Sequence, residues 1–127
     1  MPSYKNDLPF NFITMAYDNY LVERIAQQLD AKKVNYYEKK MFGGICFMVD
    51  DKMCIGVLKE DLMVRMDPEE IAAVAEEEGV RPIDFTGRPM KGYLFIAPEG
   101  VDMDADLEKW VDRCLAFNPK AKASKKR

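Results

Sequence analysis

Four short apolar runs crowd the middle of the chain, and only two- or three-residue turn signals separate them. The runs are Val34–Lys40, Ile45–Val49, Met53–Leu58 and Leu62–Met66; between them stand Gly43-Gly44, Asp50-Asp51 and Lys59-Glu60-Asp61. Connections this short cannot carry a crossover, so successive strands must pair antiparallel. Alternation within the fourth run puts Leu62, Val64 and Met66 on one face and Met63 and Arg65 on the other. The Gly43-Gly44 pair is expected to form a bulged corner, with Met41 and Phe42 in the core.

Amphipathic helices flank this block. Asp18 is a good N-cap for a helix whose apolar face is Leu21, Val22, Ile25 and Leu29. A second helix starts at Asp67-Pro68, with Glu70 completing an acidic capping box, Ile71, Val74 and Ala75 as its stripe and Gly79 as its stop. Arg81–Pro89 reads as irregular, and Tyr93–Ile96 as the last strand. The final helix, capped by Asp102 or Asp104, presents Leu107, Trp110, Val111, Cys114 and Leu115 at helical spacing. Pro119 closes it.

The expected fold is therefore a two-layer α+β domain. An antiparallel sheet carries helices mainly on one face, in the order α-β-β-β-β-α-β-α. Residues 1–14 are expected to be an N-terminal extension, 15–118 the domain, and 119–127 a basic disordered tail. The runs Cys46–Val49 and Met53–Ile55 are apolar on both strand faces, so the second face also needs a cover. The extension, a loop or another subunit could supply it, which makes a homodimer an expectation.

Composition removes several kinds of chemistry. The 127 residues include no histidine. Ser-His-acid and Cys-His nucleophiles are excluded, as are histidine-ligated zinc and iron. Three cysteines are too few for an all-thiolate zinc site, and their scatter fits small buried residues in a reducing compartment. No run reaches the ~18 apolar residues of a membrane span. The Asp102–Asp106 cluster fails as a calcium loop, because Leu107 stands where glycine is needed and Arg113 where glutamate is needed. The net charge of −3 divides into +5 on the tail and −8 on the rest, unlike a nucleic-acid-binding domain. Nucleic acid could be touched only weakly, through the tail.

Three segments could bind an anion. Lys39 and Lys40 precede the turn glycines Gly43 and Gly44, whose backbone can approach a charged group. Arg65 sits at the end of a strand, and Arg88 lies in the segment Phe85–Gly92. Convergence of Lys40, Arg65 and Arg88 would make a small cationic pocket in an acidic protein. The pair Glu60-Asp61 falls on a tight turn and Asp84 in a loop, with no partner marked by spacing.

The stretch Lys39-Lys40-Met41-Phe42-Gly43-Gly44-Ile45-Cys46-Phe47-Met48 resembles the signature of the TfoX N-terminal domain family. Asp61–Arg65, Asp84–Met90 and the helix around Trp110-Val111 continue the likeness, which covers roughly residues 15 to 118. It implies an α+β fold similar to secretion-chaperone-like domains and a cytoplasmic bacterial or archaeal protein. It also implies a link to transcription or competence regulation, but no catalytic residues. A stand-alone member is expected here, since only a short basic tail follows Phe117-Asn118. The reading is a non-catalytic regulatory module that binds a protein partner, without cofactor or metal. The alternative is a small anion- or nucleotide-binding protein using Lys40, Arg65 and Arg88.

Overall fold

Asp18 caps the first helix as its side chain predicts: the carboxylate accepts from the backbone N–H of Tyr20 at 2.9 Å and of Leu21 at 3.2 Å. The computed structural model describes residues 17–41, 43–84 and 89–122. The expected extension, residues 1–14, and Phe42 lie outside them. Helix α1 is Asn19–Ala31, and it buries Leu21, Val22, Ile25 and Leu29. Strands β1 (Tyr37–Met41), β2 (Gly44–Val49), β3 (Lys52–Leu58) and β4 (Asp61–Arg65) follow as an antiparallel meander. Then come a 3-10 turn Pro68–Glu70, the short helix α2 (Ile71–Val74), β5 (Val80–Asp84) and β6 (Pro89–Ile96). A second 3-10 turn, Pro98–Val101, leads into α3 (Asp104–Phe117) and a third, Asn118–Lys120. The six strands form one antiparallel sheet in the order β1-β2-β3-β4-β6-β5.

The α+β fold and the order of its expected elements stand, and the structure corrects several local readings. Val80–Asp84 is an edge strand rather than an irregular segment. Pro82 disguised it; proline lacks a ladder donor but is tolerated on an edge, where that donor has no partner to reach. The second helix has one turn, not three, and ends before the run Glu76-Glu77-Glu78. Negative charge at a helix C-terminus opposes the macrodipole. The N-cap of α3 is Met103, without a side-chain cap, and Asp104 is already inside the helix. Asp104 is instead held from α1, by Arg24 at 3.2 Å. Gly43-Gly44 is not a bulged corner. Met41 pairs directly with Gly44, which is the first residue of β2.

The principal core lies between the helices and one sheet face. It joins Ile25 and Leu29 of α1 and Leu107, Trp110 and Val111 of α3 to Phe47, Ile55, Val57, Leu62, Val64 and Ile96. A bulge in β3 sharpens it. Phe47 pairs with Ile55 and Met48 with Met53, so Cys54 is the extra residue, and both Cys54 and Ile55 join the helix-side core. The opposite face gathers Cys46, Met48, Met53 and Met63, with Met41, Tyr93 and Phe95 packed around them. Among the described residues, no helix contributes to this second cluster. Its four central members are only 0–4% exposed in the single chain.

Two local features are open to direct test. Gly92 has φ +84°, and a Cβ there would lie 3.1 Å from the Met66 carbonyl oxygen and 3.3 Å from Pro68 Cγ. Gly92→Ala is expected to cost about 1–2 kcal/mol in urea unfolding, from the left-handed backbone alone. The other feature is Glu77, just past α2. It accepts a two-pronged hydrogen bond from Arg113 at 3.1 and 2.9 Å and pairs with Lys109 at 2.9 Å. Arg113 foremost, and then Lys109, hold its carboxyl below the ordinary carboxylate range, against the opposing effect of burial. The unfolded chain therefore binds this proton more readily. The stabilisation is complete above the ordinary range and drains away as pH falls through the depressed value. Glu77→Gln should flatten the acid limb of stability against pH, measured by chemical denaturation from pH 7 downward.

Candidate anion-binding site

Arg65 ends β4 on the face opposite Leu62 and Val64, as alternation requires. It pairs across the ladder with Tyr93, and its guanidinium lies 5.5 Å from that ring centroid, a cation–π distance. Nη1 donates to the Met53 carbonyl at 3.3 Å, and Nη2 to the Lys122 carbonyl at 3.2 Å. A guanidinium has five N–H donors, so these two bonds leave capacity for a ligand.

The wall above Arg65 is made by the turn after β4. Met66 N–H donates to the Gly92 carbonyl at 2.8 Å, which draws Met66–Pro68 against the β6 backbone. Asp67 starts the next turn by accepting from Glu69 N–H at 2.9 Å. The other wall is the segment after α3. Asn118 is 3% exposed, and its Nδ2 donates to the Val49 carbonyl at 3.1 Å. Lys52 Nζ donates to the carbonyls of Asn118 at 3.1 Å and Pro119 at 3.3 Å. Ala121 is buried, at 6% exposure. The tail expected to be disordered from residue 119 therefore follows the sheet end as far as Lys122; residues 123–127 lie outside the described part.

Between these walls is an open cleft of about 580 Å³, within the range of ligand sites. Arg65, Lys91, Lys120 and Lys122 line it, with Tyr93 and Phe117 as aromatic walls and Asp67 and Glu69 as its acids. Elsewhere, Arg24, Lys32, Arg81, Lys109 and Arg113 each pair with a carboxylate, whereas exposed lysines such as Lys39 and Lys40 stand singly on the edge strand. Among the described residues, none of the four cleft cations pairs with a carboxylate.

The sequence-derived candidates scatter. Lys39 pairs with Cys46 and Lys40 with Ile45 on the edge strand β1, and both are exposed. Strands β2 and β3 separate Lys40 from Arg65, about 14 Å at the usual strand spacing. The structure does not bring them together. Gly43 occupies the β1–β2 turn. Gly44 serves packing, because a Cβ there would run into the Val57 carbonyl oxygen. Arg88 lies outside the described residues. Among the described candidates, only Arg65 enters the cleft, and sequence reasoning missed its companions. Lys91 carried no motif, and Lys120 and Lys122 read as solvated tail. Asp61, weighed as half of an acidic pair, is bound to Arg81.

The three thiols are unsuited to nucleophilic work. Burial pushes Cys46 up to about 11 and Cys54 up to about 12, and it raises Cys114 well above the ordinary thiol value. At neutral pH all three are protonated, and the thiolate is the reactive form. No group of three or more acidic or thiol ligands gathers among the described residues. A chromogenic disulfide reagent at pH 7.5 is expected to label none of the three cysteines quickly in the native protein, and all three in guanidinium.

The family model for the TfoX N-terminal domain matches residues 27–118, from the last half of α1 to the start of the final turn. No curated protein and no solved structure matches the chain. The matched span contains the whole sheet, the three cysteines, Arg65 and the Lys91–Tyr93 side of the cleft. By that span, which exceeds half of its length, the chain belongs to the TfoX N-terminal domain family.

Proposed function

We propose that this chain is a non-catalytic binding module and that the Arg65 cleft holds an acidic segment of a partner protein. The carrying observation is charge distribution. In a protein of net charge −3, four cations line one cleft, and no described carboxylate pairs with them. Four cations against two acids, Asp67 and Glu69, leave the cleft with an excess of positive charge, and an anionic ligand would relieve it. Arg65 offers a planar donor fork that fits a carboxylate. Tyr93 and Phe117 supply apolar walls for neighbouring side chains of the segment.

A peptide suits this cleft better than a nucleotide. Asp67 and Glu69 stand among the cations and would repel a dense polyphosphate, whereas a peptide spreads its charge. Among the described residues, the cleft has no glycine-rich backbone cradle opening a helix, the usual phosphate device. A regulatory role is the one the family resemblance implies, and gripping a partner is how such a module would act. Three free, buried cysteines suit a reducing cytoplasm. Among the described residues, no helix is long and apolar enough to cross a membrane.

Fluorescence anisotropy with a labelled hexaglutamate peptide at low salt tests this reading. The double charge reversal Lys91→Glu/Lys120→Glu is expected to weaken binding about 2- to 30-fold from the loss of two exposed ion pairs, toward the upper end because the new carboxylates repel the peptide. The same reversal at the β1 edge, Lys39→Glu/Lys40→Glu, should leave it unchanged. No peptide binding by the wild type, or equal loss from both double variants, would reject the cleft as the site. Tighter binding of ATP than of peptide would favour the nucleotide reading.

A further inference from the structure

The segment Asn118–Lys122 has an unusual position in the cleft. It supplies two of the four cations, Lys120 and Lys122, yet little apolar surface holds it down. Ala121 is the one buried residue beyond the Asn118 anchor. The remaining fastenings are polar and reach backbone carbonyls. Lys52 Nζ donates to Asn118 and Pro119, and Arg65 Nη2 donates to Lys122. Lys52 opens β3 and does not line the cleft. It nonetheless pins the segment at the point where the chain leaves Asn118.

We propose that Lys52 and Arg65 are positioning residues which fasten this C-terminal strap, and that closing the strap completes the anion-binding cleft. The inference rests on the cleft being the binding site, and it adds how the site is assembled. With the strap docked, Lys120 and Lys122 face Arg65 and Lys91 across the cleft. With it released, half of the cationic wall is gone. Docking adds two positive charges to a wall where Arg65 and Lys91 already face Asp67 and Glu69; the resulting excess of positive charge disfavours the docked form in the absence of ligand, and an acidic segment between the walls favours it. Strap docking and ligand binding are thus one linked equilibrium, and apparent affinity scales with the docked fraction.

The linkage predicts an effect at a distance. Lys52→Met removes both carbonyl bonds without altering the cleft lining, and it should weaken hexaglutamate binding about tenfold if the docked fraction falls by that factor. Lys52→Arg, which keeps a cationic donor, should bind like wild type. In a Lys120→Ala/Lys122→Ala background, the strap has no charge left to deliver, so adding Lys52→Met should change affinity no further. Hydrogen exchange reads the strap itself. The Ala121 amide donates to the Asn118 carbonyl at 3.1 Å; saturating hexaglutamate should slow its exchange in the wild type, and Lys52→Met should speed it in free protein.

The possible failures separate cleanly. If the wild type binds peptide through Lys91 but Lys52→Met binds equally well, the cleft stands and the strap linkage falls. If Lys52→Met costs the same factor in both backgrounds, Lys52 acts by its charge alone, and the linkage is again rejected. Unchanged Ala121 exchange on peptide binding would overturn it without any variant. Absence of wild-type binding would remove the cleft reading and this inference together.

Discussion

Strand β4 is paired on both edges and buried on both faces, and the positions of its neighbours follow from that. It hydrogen-bonds to β3 on one side and β6 on the other. Leu62 and Val64 enter the helix-side core, and Met63 enters the methionine cluster behind it. A slip of one residue would exchange the faces and drive Arg65 toward the helices, where its charge would lose water without a partner. Register is therefore strongly specified, and with it the location of Arg65 at the sheet end. Three contacts that shape the cleft start from that point: Tyr93 opposite, Met53 beside, and the strap across the top.

Among the described residues, two groups of cations contrast. On the helical side, Arg24, Lys32, Lys109 and Arg113 join α1, α3 and the turn after α2 through carboxylates. Arg113 also lies 4.5 Å from the Trp110 ring centroid, so one guanidinium both stacks on the core and pairs with Glu77. At the sheet end, Arg65 in the cleft and Lys52 beside it meet backbone carbonyls instead. Carbonyl oxygens accept hydrogen bonds but carry no net charge, so they orient Lys52 and Arg65 without neutralising them. Firm placement with uncancelled charge is a suitable arrangement for a site that receives an anion.

Much of the fold was legible because its signals are local. The Asp18 cap, the α1 stripe, the Asp50-Asp51 turn and the Leu107–Cys114 stripe each depend on residues a few positions apart. Misreadings arose where a neighbour far along the chain overrode local preference. Pro82 suggested a break, but β6 recruits Val80–Asp84 as an edge strand. Asp104 looked like a cap, but Arg24 of α1 claims it. Alternation failed at Cys54, where a bulge puts two consecutive residues on one face. The site was harder still: Arg65 was legible as a candidate, whereas Lys91, Lys120 and Lys122 come from segments 26 to 57 residues away in number.

The four closely spaced apolar runs with which the meander begins determined, by themselves, that the middle of the chain is an antiparallel sheet. Two-residue connections leave strands no other way to pair. Composition likewise settled, without coordinates, that no histidine chemistry is available. Tertiary structure alone decided which cations share a cleft. Lys39 and Lys40 lie in a conspicuous motif, yet two strands hold them apart from Arg65. Lys120 and Lys122 lie in a featureless tail, yet carbonyl bonds to Lys52 and Arg65 carry them to it. Local patterns govern backbone conformation because they act within a few residues; proximity of side chains depends on how distant segments pack, and no local pattern encodes that.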